Sequence, residues 1–476
     1  MRTIMCRMAF TLYGLFLMTA VFGQDLNVRD FGATGDGTTD DTKAINKALK
    51  AAGHQKKSLH FPAGTYLCNT ISDEANHILL FQVDNLQGTS LYGDGDSTRI
   101  TTSLNTGTFL LFVYAYANCD GLSVKNIFFE NTHTLIPSIT NGLYIYGTNN
   151  MYISNVLTSG CRFEGFCNAV NGQGIKGWTL DSNNFGSPKG HDDAMNNTHP
   201  AVYCWFSDNV NGYCTNIVIT NNTADGYTGT DPITSLVTQR AMDGFIYGTA
   251  YGFTITGNTT RNFSQEHYVL QPRATFPKDT TTSLISNNTI DGTMPLGSVQ
   301  DNGAHQRMAN YGIRCDIGDA VITNNTIQNY TVGIMVRGLE YPKADIHTYL
   351  ISGNKLFAST DPVNYFVQPA ISVQGKIGNR VKDVTITNNE IHIGPLNWSN
   401  ANSGILLYDV EKATIENNTV STSSPPPDSS LLAAFAYHRV GRVVEQTNTV
   451  LGMKFRIIQS PTDTVQIITD HPFLKN

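Results

Sequence analysis

Acidic residues that could act on a sugar are concentrated in the middle of this 476-residue chain. Hydrolysis of a glycosidic bond needs one carboxylic acid to protonate the leaving oxygen and a second carboxylate to activate water or attack the sugar. The candidates for this pair are Asp316, Asp243, Glu266, Asp192 and Asp193. We expect at least two of the five to be catalytic.

Arginine, histidine, aromatic and amide side chains surround these acids and could bind a glycan. Arginines bind carboxylates, and flat aromatic rings can stack on sugar rings. The candidates are Arg314, Arg337, Arg240, Arg273, Arg307, His191, His267, His305, Tyr203, Trp205 and Gln271.

The same set leaves β-elimination open as a second chemistry. Arginines would neutralise the carboxylate of a uronate, and His267, His305 or a tyrosine would take the proton. The non-functional alternative for each arginine is a surface ion pair, for example Arg314 with Asp316.

A repeated segment sets the spacing of these residues along the chain. The stretch VITNNTI at residues 321–327 recurs in related forms along the chain. The second asparagines of these repeats are 29 to 39 residues apart: Asn183, Asn222, Asn258, Asn288, Asn325, Asn354, Asn389 and Asn418. Such elastic spacing is typical of a solenoid with loop insertions. We expect these asparagines to stack from coil to coil, because a ladder satisfies buried amides.

Runs of three to five apolar residues followed by turns predict short strands rather than helices. The low charged fraction of 14% and the 42 glycines agree with an all-β body. The repeat predicts roughly 11 to 13 coils. Long gaps between repeats place insertions near residues 186–200, 226–240 and 291–310, which should lie on one side.

Strands that follow the insertions align with one another. With a period of two, the second and fourth residue of each should point outward. The outward set is Tyr203 and Trp205, Ile246 and Gly248, Val269 and Gln271, Arg314 and Asp316, Met335 and Arg337, Ser372 and Gln374, Leu406 and Tyr408. A shift of one residue would turn any of these strands over.

Near the N-terminus, one helix is expected to close the open end of the solenoid. Asp40 can cap it, Gly53 should end it, and its apolar stripe is Ala44, Ile45, Ala48, Leu49 and Ala52. We interpret Asp36, Asp40 and Asp41 as structural residues that cap this helix and fix turns.

The phrase V-x-D-F-G-A-x-G-D-G-x-x-D-D-T from Val28, followed by F-P-A-G-T-Y from Phe61, resembles the start of the pectate-lyase-like superfamily. That resemblance implies an all-β, right-handed parallel β-helix with an N-terminal capping helix. It also implies a polysaccharide lyase, a glycoside hydrolase, a uronate epimerase or a phage tailspike. Of the polygalacturonase signatures, only Asp192 and Asp193 echo the D-D motif, and the D-P-H-E of alginate epimerases is absent.

Three segments are predicted: a signal peptide at 1–23, a β-helix domain at 24–420, and a linker with a small C-terminal β cap at 421–476. Arg2 and Arg7 precede an apolar run that ends before Gly23, which is typical of a signal peptide. No later run reaches the roughly 20 apolar residues of a membrane span. We therefore expect a secreted or periplasmic protein.

The seven cysteines after Cys6 are expected to be mostly buried small residues, with Cys161–Cys167 and Cys204–Cys214 as alternative local disulfides. No cofactor or zinc site is predicted; Ca²⁺ stays open, although no loop motif supports it. A net charge of −7 without basic clusters argues against nucleic acid. The oligomeric state is not predicted.

The resulting expectation is a secreted polysaccharide-degrading enzyme. A glycoside hydrolase is the first hypothesis, and a lyase or epimerase acting on a uronate-containing glycan is the second. A noncatalytic carbohydrate-binding or tailspike-like protein is the third.

Overall fold

Successive repeats form the coils of a right-handed parallel β-helix in a computed structural model of the chain. The structure describes residues 25–73, 75–83, 88–104, 109–115, 117–133, 141–147, 151–186, 202–206, 214–226, 244–263, 266–271, 281–292, 309–338, 347–358, 369–375, 380–393, 402–422, 432–453, 455–459 and 465–469. A typical coil contributes one strand to a front sheet and two to a back sheet, and all pairings are parallel.

The front sheet has thirteen strands within the described residues. They are β5 (His77–Val83), β7 (Phe109–Ala115), β10 (Asn141–Tyr146), β13 (Asn168–Gln173), β16 (Val202–Phe206), β19 (Gly244–Gly248), β22 (Glu266–Leu270), β25 (Ala309–Cys315), β28 (Tyr330–Arg337), β31 (Ile371–Gln374), β34 (Asn402–Tyr408), β37 (Leu432–His438) and β40 (Phe455–Gln459).

The back sheet comprises the other 28 strands of the described residues. They are β1 (Leu26–Asn27), β2 (Asp36–Asp40), β3 (Leu59–Phe61), β4 (Gly64–Leu67), β6 (Ser90–Thr102), β8 (Cys119–Asp120), β9 (Ser123–Asn131), β11 (Ile153–Ser159), β12 (Arg162–Glu164), β14 (Ile175–Asp181), β15 (Asn184–Gly186), β17 (Cys214–Thr220), β18 (Thr223–Asp225), β20 (Ala250–Thr256), β21 (Thr259–Arg261), β23 (Ser283–Ser286), β24 (Thr289–Asp291), β26 (Ala320–Thr323), β27 (Thr326–Gln328), β29 (Thr348–Ser352), β30 (Lys355–Phe357), β32 (Val381–Thr387), β33 (Glu390–Ile393), β35 (Val410–Glu416), β36 (Thr419–Thr422), β38 (Arg442–Gln446), β39 (Thr449–Leu451) and β41 (Gln466–Thr469).

The predicted asparagine ladder is confirmed. Each ladder asparagine donates its backbone N–H and its side-chain Nδ2 to the Oδ1 of the asparagine in the next coil, as Asn325 does to Asn354 at 3.0 Å in both bonds. The ladder runs unbroken from Asn183 to Asn418 and continues one coil further to Asn448. It fixes the register of consecutive coils.

The repeated Asn-Asn pair has two different roles. The first position adopts the left-handed conformation, with φ near +57° at Asn324 and Asn388, and glycine takes that place at Gly257 and Gly353. Asparagine and glycine are the residues that tolerate this conformation best. The pair is therefore one turn residue followed by one buried ladder residue.

Helix α1 (Thr42–Gln55) closes the N-terminal end of the coils and follows a short 3₁₀ helix at Val28–Phe31. Asp40 accepts hydrogen bonds from the Thr42 N–H and hydroxyl at its start, and the predicted apolar stripe packs inward. Gly53 does not end the helix, because Lys56 is its C-cap. A Cβ at Gly53 would lie 2.8 Å from the carbonyl of Gln82, so this glycine allows close packing on β5.

Buried aliphatic and aromatic side chains from both sheets form one continuous core. All seven cysteines after Cys6 are buried in it, which agrees with the expectation of small core residues. Burial raises the pKa of the Cys161 and Cys315 thiols to about 12. These thiols are therefore unsuited to nucleophilic chemistry.

Beyond residue 420 the solenoid does not stop. Strands β37 and β40 extend the front sheet, and β38, β39 and β41 extend the back sheet, in parallel register with the preceding coil. The described residues between 432 and 469 are thus further solenoid strands rather than a separate cap. No helix within the described ranges is long and apolar enough to cross a membrane.

Candidate functional site

The outer face of the front sheet carries the candidate site. In β25 and β28, Ile313, Cys315 and Val336 point into the core and are fully buried, so the alternating residues between them point outward. Arg314 pairs with Met335, and Cys315 pairs with Val336. The residue after Cys315 is Asp316 and the residue after Val336 is Arg337. Asp316 and Arg337 are therefore neighbours on the outer face.

Arg314, Asp316 and Arg337 form a charged cluster, called here the arginine cluster. Arg337 donates from Nε to Asp316 Oδ1 at 3.0 Å and from Nη2 to Oδ2 at 2.6 Å. Arg314 donates from Nε to Oδ2 at 2.9 Å, and its Nη2 lies 2.9 Å from the same oxygen. Both carboxylate oxygens of Asp316 thus accept charge-assisted hydrogen bonds.

The exposed charge of the arginine cluster is positive. The Asp316 side chain is 1% exposed, whereas those of Arg314 and Arg337 are 16% and 21% exposed. Two guanidinium groups share this one carboxylate. A ligand on this face meets the edges of two arginines rather than a carboxylate, and paired arginines suit carboxylate or phosphate groups.

Three further residues extend the site toward the N-terminus. The Tyr247 hydroxyl and Gln271 Oε1 are 2.9 Å apart, and the Trp205 and Tyr247 rings meet edge to face with centroids 6.4 Å apart. All three side chains are partly exposed. Tyr247, which the predicted register turned inward, lies on the outer face together with Trp205 and Gln271.

The structure buries two predicted binding residues: Tyr203, whose predicted outward position is wrong, and His267. Both side chains are fully buried: Tyr203 packs near Phe263 and donates its hydroxyl to the carbonyl of Asp225, and His267 Nδ1 lies 3.0 Å from Thr260 Oγ1. Burial lowers the pKa of His267 to about 3 and raises that of Tyr203 well above its ordinary value. Neither residue can contact a glycan on the outer face.

The error has a geometric cause at the corner where the chain enters the front sheet. Cys204 pairs with Ile246 and Ile246 with Tyr268, so the predicted alignment was two residues early in β16 and one residue early in β19. Ile246 and Gly248 consequently face the core, not the solvent; a Cβ on Gly248 would meet the Phe253 ring at 2.4 Å. At this corner successive residues face inward, which strict alternation cannot foresee.

Glu266 and Asp316 are not brought together. Glu266 begins β22 and pairs with Tyr311, which precedes Asp316 by five residues along the neighbouring strand. Five strand residues span roughly 16 Å of backbone, so the backbones of Glu266 and Asp316 are well separated along the sheet.

The remaining predicted site residues lie outside the described residues. They are the acids Asp192, Asp193 and Asp243, and the predicted binding residues Arg240, Arg273, Arg307, His191 and His305. They stay predictions from the sequence.

A second arginine–aspartate fork lies toward the C-terminal end of the front sheet. Arg439 donates from Nε to Asp409 Oδ1 at 2.7 Å and from Nη2 to Oδ2 at 2.6 Å, and its guanidinium lies 4.2 Å from the centre of the Tyr408 ring. The hydrogen bonds to Asp409 raise the pKa of Arg439. This fork repeats the geometry of Arg337 and Asp316 with a single arginine.

An aromatic region on the same outer face was not predicted from the sequence. Strands β5, β7 and β10 present the rings of His77, Phe109, Phe112, Tyr114, Tyr144 and Tyr146. The alternation of aromatic with buried aliphatic residues in FLLFVYA and GLYIY was the available signal. Within the described part of the chain, no group of three or more His, Cys, Asp or Glu residues is placed to hold a metal ion.

Comparison with protein families matches residues 26–265 to the family described as rhamnogalacturonase A/epimerase, pectate lyase-like. No curated protein matches the chain by sequence.

Solved structures resemble the fold. A mutant tailspike protein of E. coli bacteriophage HK620 in complex with pentasaccharide has a TM-score of 0.58 at 10% identity, over 90% of this chain and 78% of that one. PfbA, a surface adhesin of Streptococcus pneumoniae, has a TM-score of 0.52 at 16% identity, over 92% and 94%. The Agl-KA catalytic domain has a TM-score of 0.52 at 14% identity, over 94% and 68%.

Proposed function

The chain belongs to the rhamnogalacturonase A/epimerase, pectate lyase-like family, and from this premise we propose that it is an enzyme acting on an acidic polysaccharide. The polysaccharide lies along the outer face of the front sheet. Its acidic sugar places a carboxylate against the arginine cluster.

The positive edge of the arginine cluster carries this proposal. Asp316 is covered while both guanidinium groups reach the surface, and guanidinium groups bind the carboxylate of an acidic sugar. Trp205, Tyr247 and Gln271 adjoin the cluster and supply aromatic faces and an amide. Rings and polar groups in this combination bind carbohydrate chains in which apolar ring faces alternate with hydroxyls.

Hydrolysis is the reaction that we propose first. Its acid and base come from Asp192, Asp193, Asp243 and Glu266, and Asp316 acts as a positioning residue, since both of its oxygens are occupied by arginines. A carboxylate that orients two guanidinium groups fixes where the acidic sugar lies and hence which glycosidic bond reaches the catalytic pair.

Elimination is the second candidate, and the paired arginines are the observation that favours it. Removal of a proton next to a uronate carboxylate builds negative charge on that group, and two preorganised guanidinium groups would stabilise the charge. Of the two predicted histidine bases, His267 is excluded by burial, which leaves His305 or a tyrosine.

One assay separates the two reactions. The protein is incubated with neutral, uronate-containing and sulfated polysaccharides, and new reducing ends and the ultraviolet absorbance of unsaturated uronates are both followed. Reducing ends without the absorbance support hydrolysis, and both together support elimination. No product on any acidic polysaccharide would contradict the proposed function.

The catalytic acids are tested with single Asp192→Asn, Asp193→Asn, Asp243→Asn and Glu266→Gln variants. A hydrolase should lose turnover by about 10³-fold or more in two of them, since each carboxylate has a separate role.

We also propose export of the mature protein, which N-terminal sequencing of secreted material would check by a new terminus after Gly23.

A further inference from the structure

A cluster of rings covers the outer face of the first front-sheet strands. We call it the aromatic patch and define it as His77, Phe109, Phe112, Tyr114, Tyr144 and Tyr146. Ring centroids are 5.5 Å apart for Tyr114 and Tyr146 and 3.9 Å apart for His77 and Phe112, and both pairs are stacked. Tyr144 and Phe112 meet edge to face at 5.2 Å.

The aromatic patch is separate from the hydrophobic core. Leu111 and Val113 of β7 and Leu143 and Ile145 of β10 point inward and are buried, so the rings between them lie on the opposite side of the sheet. Five of the six patch rings are partly exposed. Clustered aromatic side chains on the outside of a protein mark a binding surface more often than a stability feature.

Two amide side chains border the aromatic patch in the next coil. Asn171 pairs with Tyr144 and Gln173 pairs with Tyr146 across β10 and β13, and both amides point outward because the intervening Gly172 faces Trp178 in the core. Asn171 is 8% exposed and Gln173 is 3% exposed. Within the described residues, Asn171 Oδ1 and Gln173 Nε2 nevertheless have no hydrogen-bond partner.

These two atoms specify the chemistry of a ligand. A buried amide oxygen or N–H without a partner is unfavourable. Asn171 Oδ1 needs a donor and Gln173 Nε2 needs an acceptor, and a hydroxyl group supplies both. A carboxylate could not donate to Asn171, and the one basic ring of the patch, His77, is already bonded to Asp73 at 2.7 Å.

We propose that the aromatic patch, with Asn171 and Gln173, binds neutral sugar residues of a glycan chain. The sugar rings stack on Tyr114 and Tyr146, and a hydroxyl reaches the two amides. The Tyr144 hydroxyl turns aside to admit it, since its bond to Gln173 Oε1 is long at 3.3 Å. The proposal is independent of which reaction the enzyme performs.

The aromatic patch and the arginine cluster share one face but lie apart. Four coil steps separate β13, which carries Asn171 and Gln173, from β25, which corresponds to roughly 19 Å at the spacing of paired strands. Trp205 and Tyr247 occupy the coils between them. One glycan chain could therefore contact both regions, with neutral residues at the patch and an acidic residue at the arginines.

Affinity electrophoresis of the full chain tests the proposal, because it measures retention rather than turnover. The gels contain galactan, galactomannan or dextran as neutral probes and polygalacturonate as the acidic reference. We expect retardation of the wild-type protein by at least one neutral probe. Tyr146→Leu should weaken that retardation about tenfold, since stacking is lost while the apolar area stays similar.

Gln173→Met separates binding from folding. It removes an N–H that has no partner among the described residues, together with the acceptor of a long 3.3 Å bond from Tyr144. The melting temperature should therefore change little while binding of the neutral probe falls about tenfold. Tyr92→Leu is the matched control, because Tyr92 is a partly exposed tyrosine of the back-sheet strand β6, where its ring stacks on His60. It should not alter retention.

Retardation by none of the neutral probes would overturn the proposal, as would wild-type retention in both Tyr146→Leu and Gln173→Met. If Tyr146→Leu fails to fold, Gln173→Met decides. A protein that cleaves nothing but is still retained by a neutral probe through these residues would refute the proposed function and leave the patch standing.

Discussion

The guanidinium of Arg337 forks onto the carboxylate of Asp316, with Nε 3.0 Å from Oδ1 and Nη2 2.6 Å from Oδ2. The two residues come from adjacent coils, 21 positions apart, and Arg314 adds a further bond to the same carboxylate. A fork of this kind holds the guanidinium in one plane. The outer edge of the guanidinium therefore presents a fixed pattern of hydrogen-bond donors on the outer face of the front sheet.

Replacement of Arg337 should weaken binding of an acidic polysaccharide. We expect Arg337→Gln to reduce affinity for polygalacturonate by about 10- to 100-fold, because one charge-assisted pair contributes roughly 1.5–3 kcal/mol. The loss should shrink as salt is raised. Retardation in polygalacturonate gels over a salt series measures it.

Arg439→Gln is the matched control for that experiment, since Arg439 forks onto Asp409 with the same geometry but without a second arginine. It should retain affinity within about twofold. Equal losses in both variants would indicate a general charge effect and would remove the arginine cluster from the binding site.

Asp316→Asn distinguishes a positioning residue from a catalytic acid. Without the carboxylate, two neighbouring guanidinium groups repel each other, and we expect a loss of about 2–3 kcal/mol in the free energy of unfolding. That is less than the roughly 3–5 kcal/mol of a fully buried pair, because both arginines are partly exposed. Urea unfolding of the variant measures the difference.

Kinetics of the same variant complete the test. A positioning role predicts a higher KM for acidic substrates and only a modest fall in kcat. A normal free energy of unfolding together with complete loss of kcat would instead identify Asp316 as a catalytic acid.

Much of the architecture followed from the sequence, because a ladder asparagine recurs in each coil from Asn183 to Asn418 and can be recognised from sequence spacing alone. From β22 to β34 the predicted strand alignment agrees with the observed pairing of Tyr268, Ile313, Ile334, Ile371 and Ile405. In these coils, alternation alone placed Arg314, Asp316 and Arg337 on the outer face.

The site was harder to predict where the backbone turns a corner. Tyr203 and His267 lie near the start of β16 and β22, where the backbone bends. The bend turns both side chains into the core, against Phe263 and Thr260 respectively. No residue pattern in segments such as VYCW or HYVL indicates that bend. The polar character of His267 also led to a wrong prediction, because His267 is a neutral core histidine rather than a surface base.

Burial of His267 should make the protein sensitive to acid. Its folded-state pKa of about 3 lies below the ordinary 6.5, so between these values the unfolded chain binds a proton that the folded chain does not. Stability is therefore lost as the pH falls from 6.5 toward 3, by up to about 1.4 kcal/mol per pH unit.

His267→Gln should flatten this acid limb, because glutamine can keep a hydrogen bond to Thr260 without a titratable group. Between pH 7 and pH 4.5 the stability loss should be smaller than in the wild type by about 2 kcal/mol. Urea unfolding at both pH values measures it, with exposed His54→Gln as control. An unchanged acid limb in His267→Gln would show that other groups control the acid sensitivity.

Adjacent substitutions in one turn should separate the two roles of the Asn-Asn pair. Asn389 accepts two bonds from Asn354 and donates to Asn418, Ile351 and Thr387, all at 2.9–3.1 Å. Asn389→Ala leaves several buried polar groups without partners, and we expect a loss of about 3–5 kcal/mol. Asn388→Gly changes an exposed residue with φ of +57° and should alter stability by less than about 0.5 kcal/mol. Thermal and urea unfolding of both variants measures the contrast, and equal effects would mean that the turn, rather than the ladder, sets the stability of this coil.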